Sequence, residues 1–286
     1  HSMGGLISRY YISQIMEMPS EGDFRPKVSR LLMLGTPNMG SPCADVMNLA
    51  FEALGENVEA IRQLRQDYLE GFNRVNIARK GVKFSVLAGN PLKKMCKSVV
   101  WNDGVVPVPS AKWKIKDNAE SKSLHTDLTG TSDFSAFVKP RLAIGPRGDH
   151  NPEPPDPSQY TGRLGSVREY GAAFALVGQP MSYDDKPFAK ALEVAPKQAV
   201  EVEIPVNAAA NLGVTFMTDP GVTVSLIDNN GNIVARNLAK SPESTGWFRS
   251  LFYDKPVAAG TWKIRIENTG DMPHRIVLTT WAGVSR

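Results

Sequence analysis

The residues able to do acid–base or nucleophilic chemistry are few, and histidine narrows them first. The chain has four histidines. His150 lies in a proline-rich stretch, and His274 follows Met272-Pro273 in a turn between two strand-like runs. His1 is the terminal residue, so no preceding chain fixes its ring. His125 alone follows a strand-and-loop unit, where a base can project from the end of a sheet. Ser2 precedes Met3-Gly4-Gly5 and then a helix-like run. That position suits a helix N-cap. It equally suits a nucleophile on a sharp turn, with Gly4 allowing close packing of the helix and the Met3 N–H donating to an oxyanion near a helix N-terminus. A serine nucleophile needs a base, and the base needs a carboxylate to fix its tautomer. Five aspartates lie between Ser2 and His125: Asp23, Asp45, Asp67, Asp103 and Asp117. Asp23 falls in a surface turn, Asp45 and Asp67 in a helical stretch, and Asp117 in a polar run expected to be solvated. Asp103 follows a strand, and Gly104 permits a tight turn to aim it. Alone, Asp103-Gly104 is also an ordinary turn pair.

The elements that must position these residues follow from periodicity. Residues 4–18 carry Ile7, Tyr11, Ile15 and Met18 at helical spacing, with Leu6, Tyr10 and Ile12 on other faces, which predicts a largely buried helix. Val28 to Leu34 predicts a strand whose apolar second half suits a parallel sheet covered on both faces. Residues 43–79 predict amphipathic helix, with Leu64, Tyr68 and Phe72 four apart. Val82 to Ala88 predicts a second strand, residues 97–111 a loop, Trp113 to Ile115 a short strand, and Ser132 to Leu142 a last helix. Pro146 to Pro157 holds five prolines in twelve residues and reads as a linker. Residues 159–190 are ambiguous, with a short helix placed at Val167 to Leu176. From Ala191 the period becomes two: Val200, Val202, Ile204 and Val206 alternate with Glu201, Glu203 and Pro205, and Trp262, Ile264 and Ile266 with Lys263, Arg265 and Glu267. Asp228 to Asn232 makes a turn, and Arg275 to Trp281 a final strand. Short alternating strands between Gly/Asn/Pro turns predict an antiparallel β-sandwich. The chain therefore divides into an α/β part at 1–145, a linker and ambiguous segment at 146–190, and a sandwich at 191–286.

Composition sets outer bounds. The 286 residues are 42% hydrophobic and 22% charged, which is globular. The formal charge of +4 is too small to argue for a nucleic-acid partner. No run reaches the roughly 18 apolar residues that a membrane helix needs. The two cysteines, Cys43 and Cys96, are spaced compatibly with one disulfide.

Taken together, these segments resemble a family. His1-Ser2-Met3-Gly4-Gly5-Leu6 resembles the nucleophile elbow of α/β-hydrolase lipases and esterases. Leu34 to Pro42, reading LGTPNMGSP, resembles their segment after the next strand, with Asn38 where histidine is frequent. Asn102 to Ala111, reading NDGVVPVPSA, resembles their acid loop, and His125 follows Asp103 by 22 residues, as in bacterial lipases. The resemblance implies Ser2 as nucleophile, Asp103 as acid, His125 as base and Met3 as one oxyanion donor, in the family's chain order of serine, acid, histidine. It implies that the helices at 43–79 stand where a lid covers the acyl pocket. No cofactor is implied. A structural calcium would use Asp127, but Lys83 stands where a partner aspartate would be sought.

The implied fold is the C-terminal half of an α/β-hydrolase sheet followed by the sandwich. The strand leading into Ser2, and the loop giving the second oxyanion donor, would precede His1. The missing N-terminal half is then itself a partner, and the chain alone is expected to be inactive and poorly soluble. The sandwich resembles the pre-peptidase C-terminal type, through Val224 to Asn232 and Ala259 to Asn268. That resemblance implies a secreted or periplasmic protein, with lipid-surface or cell-surface contact. The expected function is acyl-ester or lipid hydrolysis through an acyl-serine. Two other readings stand beside it: an amidase or acyltransferase with the same residues, and a non-catalytic adhesion protein working through the sandwich.

Overall fold

The computed structural model describes residues 1–17, 26–93, 100–144, 188–209, 211–219, 221–238 and 248–283. The proline-rich segment and the helix placed at Val167 to Leu176 lie outside them, as do Asp23 and His150. The α/β part runs α1 (Met3–Tyr10), a π-turn (Tyr11–Ile15), β1 (Arg30–Leu34), α2 (Pro42–Ala53), α3 (Glu59–Arg62), α4 (Gln66–Val75), β2 (Lys83–Gly89), α5 (Val108–Lys112), β3 (Asn118–Ser121), a 3-10 turn (His125–Thr129), α6 (Thr131–Asp133), a π-turn (Phe134–Val138) and α7 (Lys139–Ile144). The remainder is eight strands: β4 (Ala189–Val194), β5 (Ala199–Val206), β6 (Asn211–Thr218), β7 (Val222–Ile227), β8 (Ile233–Asn237), β9 (Phe248–Tyr253), β10 (Gly260–Asn268) and β11 (His274–Gly283). Helices and sheets are thus mixed, and most of the regular structure is β.

The described residues form two compact units that do not follow the chain contiguously. The first takes residues 1–41, 63–93 and 100–144; the second takes residues 42–62 and 188–283.

In the first unit β1, β2 and β3 form a parallel sheet in that order, with Leu34 beside Leu87 and Val86 beside Asn118. Central β2 is buried from Phe84 to Gly89, as the apolar run predicts for a strand covered on both faces. The third strand is not at Trp113 to Ile115. Trp113 ends α5 with φ 44, and the strand forms at Asn118–Ser121, whose polar sequence has no apolar period to announce it. On the other side, β1 pairs with no strand among the described residues.

Helix α1 buries a face other than the expected one. Leu6, Arg9, Ile12 and Met16 point inward. Ile7 and Ile15 are 63% and 59% exposed, with Tyr10 and Tyr11 also at the surface. The stripe Ile7–Tyr11–Ile15 is therefore helical in spacing but uncovered, because the inward face is organised around a buried arginine.

Asp117 departs from its expected solvation. It is buried, and it joins β2 to α7. Its Oδ2 accepts from Ser85 Oγ on β2 at 2.6 Å and from Arg141 Nε on α7 at 3.1 Å, and its Oδ1 accepts from Arg141 Nη2 at 2.8 Å. Removing one partner of a buried pair strands the other charge. Asp117→Asn is expected to lower unfolding free energy by about 3 kcal/mol, read from urea denaturation at neutral pH. A loss below about 1 kcal/mol would place the pair among solvated surface bridges.

In the second unit, two antiparallel four-stranded sheets, β5-β10-β7-β8 and β4-β11-β6-β9, enclose one core. The period-two reading holds at β5, where Val202, Ile204 and Val206 are buried and Glu201, Glu203 and Pro205 exposed. They meet Trp262, Ile264 and Ile266 of β10 together with Phe216, Leu226 and Leu278. The sandwich also buries Arg249, whose guanidinium donates to the carbonyls of Val222 and Asp219 and to Asn237 Oδ1. Burial pushes that group down to about 10.

The expected helical stretch at 43–79 breaks at Gly55, whose φ of +71 closes α2 with bonds from Gly55 N to Glu52 O and Glu56 N to Phe51 O. The division between the units falls further on, between Arg62 and Gln63, so α3 stays with α2. Helix α4 belongs to the α/β unit, whereas α2 lies on the sandwich, with Cys43 and Val46 packed on Trp281 and Phe252. Arg275 on β11 pairs with Glu56 at 2.9 Å. Gly213 on β6 makes room for the Trp281 ring, which any Cβ there would strike, and Trp281 Nε1 donates to Thr215 Oγ1 at 3.1 Å. Cys43 is disulfide-bonded, and the chain's other cysteine, Cys96, lies outside the described residues. No helix among the described residues is long and apolar enough to cross a membrane.

Candidate active site

Ser2 stands immediately before α1 with φ 53 and ψ −134, a region that residues with a Cβ rarely adopt. Holding it there costs about 1–3 kcal/mol, and such strain collects at functional sites. The Ser2 N–H is tied to Leu34 O at the end of β1, at 2.9 Å. Its hydroxyl makes no capping bond to α1, which removes the plain N-cap reading. Ser2 Oγ lies instead 2.9 Å from His125 Nε2. His125 Nδ1 is 2.8 Å from Asp103 Oδ2. A carboxylate oxygen accepts, so Nδ1 carries the proton. In a neutral ring that leaves the Nε2 lone pair to receive the Ser2 hydroxyl proton. The structure therefore brings Ser2, His125 and Asp103 into one hydrogen-bonded row.

Each member is held by backbone. Asp103 is buried, and its Oδ1 accepts from the N–H groups of Val105 at 2.9 Å and Val106 at 2.7 Å. The turn at Asn102-Asp103-Gly104 is capped by Asn102, whose Oδ1 accepts from Gly104 N, so Asp103 is free to face His125. Gly104 has φ +95, which its lack of a Cβ permits. His125 opens the 3-10 turn, and its N–H donates to Asp103 O at 2.9 Å.

The loop after β1 and the loop carrying Asp103 are stitched together. Asn38 Nδ2 donates to Ala111 O, Ser110 Oγ to Gly40 O, Met39 N to Ser110 Oγ, and Ser41 Oγ to Val105 O. Two glycines let these loops approach the row. A Cβ on Gly35, at φ +56, would lie 3.0 Å from both Asp103 Oδ2 and His125 Nδ1; one on Gly89 would lie 2.5 Å from Asp103 Cβ.

The close approach of α1 to the sheet belongs to Gly5, not Gly4. A Cβ on Gly5 would collide with the Thr36 side chain, whereas Gly4 faces open space. Met3 occupies the first position of α1, where its N–H has no intrahelical acceptor, while the Gly4 and Gly5 N–H groups turn back to His1 O and Ser2 O.

Sequence reasoning missed two features. The first is Arg9, which is 1% exposed one turn and a half beyond Met3. It donates to Asn38 Oδ1 at 2.9 Å, Asn73 Oδ1 at 2.7 Å and Asn76 O at 3.2 Å, and lies 4.1 Å from the Trp113 ring centroid. Burial, with Arg79 adding repulsion, pushes its guanidinium down to about 9. Among the described residues no carboxylate pairs with it. Asn38, at the place where the resembling family often has histidine, is the hinge of this network. The second is His1, whose imidazole is fixed after all: its Nε2 donates to His125 O at 2.7 Å, and the two rings are 4.7 Å apart.

The other aspartates and His274 stand apart. Asp45 and Asp67 open α2 and α4, and His274 lies beside Asp219 in the sandwich. Asp127 is exposed. The oxygens of Asp228 are taken by N–H groups of Asn232 and Asn230, which hold that carboxyl below its ordinary range. No cluster of three or more His, Cys, Asp or Glu suited to a metal ion occurs among the described residues.

Among solved structures, the chain is similar to the Bacillus licheniformis lipase BlEst2 in its propeptide form, with TM-score 0.51, 21% identity and 98% of this chain covered. The chain spans 59% of that protein's length. At that identity the likeness is one of fold. The pre-peptidase C-terminal domain of a collagenase from Bacillus anthracis overlays 33% of this chain at TM-score 0.27 and 11% identity. No family model matches the chain. No curated protein sequence matches it either.

Proposed function

We propose that the chain carries the catalytic half of a serine carboxylic-ester hydrolase, a lipase or esterase of the α/β-hydrolase type, that works through an acyl-serine. The observation that carries this reading is the row Ser2 Oγ–His125 Nε2–His125 Nδ1–Asp103 Oδ2, with a strained serine that declines to cap its own helix. A lipase among the structural neighbours supports the same fold setting.

In this reading Ser2 Oγ attacks the ester carbonyl carbon while His125 Nε2 takes the hydroxyl proton. The C–O bond to the alcohol then breaks, and the same proton goes to the departing oxygen. Water, deprotonated by His125, attacks the acyl-serine and releases the acid and free Ser2. Asp103 holds the tautomer and stabilises the imidazolium. The Met3 N–H receives the developing oxyanion as one donor. A single donor forfeits about 10²- to 10³-fold in rate. An upstream segment pairing along β1 and covering Ile7, Tyr11 and Ile15 would complete the sheet and bring the second donor. The disulfide at Cys43 favours an oxidising compartment, in keeping with export. Acyl esters or lipids at a lipid or cell surface are the proposed substrates, and no cofactor is needed.

The test is labelling with a fluorophosphonate followed by peptide mapping. The reagent needs only an activated serine. The chain is expected to label on Ser2, slowly, and about 10²- to 10³-fold faster with its upstream coding sequence restored. Folded protein that takes no label on Ser2 in either form would overturn the reading.

A further inference from the structure

The His1 imidazole has no part in that mechanism, yet it touches the base. His1 Nε2 lies 2.7 Å from His125 O. A carbonyl only accepts, so Nε2 is the protonated nitrogen of His1. The rings lie against each other with centroids 4.7 Å apart and planes tilted by 45°.

The consequence lies in what each end of residue 125 is tied to. Its N–H is held by Asp103 O, and its C=O is held by His1. Its ring spans Asp103 and Ser2. His125 opens a short 3-10 turn after the edge strand β3, so its own element gives it little rigidity. Of the two peptide groups beside its Cα, one is therefore fixed by Asp103 itself and the other by the residue next to Ser2. His1 is covalently bonded to Ser2, so its bond ties the base to the backbone of the nucleophile itself.

We propose that His1 is a positioning residue, which keeps His125 Nε2 aimed at Ser2 Oγ by donating to the His125 carbonyl and packing on its ring. The proposal rests on the reading of Ser2 as the nucleophile. It adds a residue that touches neither ester nor leaving group. A misplacement of about 1 Å at a general base costs up to about 10²-fold in rate, so a clamp on the backbone of the base is worth having.

The experiment compares this chain with His1→Ala, His1→Gln and His1→Phe. Glutamine places an amide N–H close to where His1 Nε2 stands; phenylalanine keeps a ring and loses the donor. Two signals are read. One is the imidazole NMR of His125, whose low-field Nδ1 proton reports the bond to Asp103 whether or not Ser2 reacts. The other is the rate of fluorophosphonate labelling at Ser2. In His1→Ala and His1→Phe the His125 Nδ1 proton should broaden into exchange and labelling should slow about 10-fold or more. His1→Gln should keep the signal and label within about threefold of the unsubstituted chain. If His1→Ala fails to fold, His1→Phe carries the comparison. An unchanged His125 signal in the donor-less variant, or a glutamine variant as impaired as it, would overturn the proposal. Absence of label both in the unsubstituted chain and with its upstream coding sequence restored would instead sink the nucleophile reading, and the NMR comparison would still decide whether His1 holds His125.

Discussion

Asp103→Asn is expected to lower the rate of Ser2 acylation about 10⁴-fold while leaving the fold intact. The size of the effect follows from which oxygen is pinned. Oδ1 accepts from the N–H groups of Val105 and Val106, and neither can bond an amide nitrogen. An asparagine must therefore keep its oxygen there and turn its NH₂ toward His125. Two donors cannot face each other, so the His125 ring must offer Nδ1 as acceptor and carry its proton on Nε2. That proton points at Ser2 Oγ, and the base is lost through the wrong tautomer. Labelling rates of the variant and parent, compared at equal folded concentration, check this. A loss below about 10-fold would mean that Asp103 is dispensable to the base.

Gly35→Ala carries the second large effect, expected at about 10²-fold on the same rate. Gly35 has φ +56, and alanine there costs about 1–2 kcal/mol from its backbone alone. The methyl group would also lie 2.8 Å from Leu128 Cδ1 and 3.0 Å from both Asp103 Oδ2 and His125 Nδ1. It therefore arrives beside the Asp103–His125 hydrogen bond, which aligns the proposed base. Strain alone would lower the unfolding midpoint and leave the labelling rate of folded molecules unchanged. That outcome would separate the backbone effect from the proposed wedge.

The parts of the fold legible in the sequence are those whose side chains face one environment. Strand β2 is apolar along its length because both its faces are covered, and β5 alternates because one face is wet. Strand β3 leaves no apolar signal because Asn118–Ser121 pairs through its backbone and buries little. The buried face of α1 is hidden from a hydropathy pattern because Arg9 sits where hydropathy puts a charge outside; asparagines and aromatic rings, far apart in sequence, make that burial tolerable. The burial of Asp117 is hidden in the same way, its partner Arg141 being on α7. The row Asp103–His125–Ser2 could be singled out because residue type, order and turn-forming glycines coincide. His1 could not, because its hydrogen bond goes to a main-chain carbonyl, which no side-chain pattern records.

The placement of α2 has a bearing on how the polypeptide is made. Cys43 and Val46 leave the ribosome about 200 residues or more ahead of their apolar partners Phe252 and Trp281. At about 5–20 residues per second, the helix must wait on the order of ten seconds or more for the surface it packs against. A nascent chain in that interval exposes an amphipathic helix with an unpaired Cys43 and no sandwich to receive it. Oxidation of Cys43 before then would secure the helix covalently ahead of its packing. The order of these two events, thiol pairing and arrival of β11, then decides whether synthesis runs to a native product or to a trapped one.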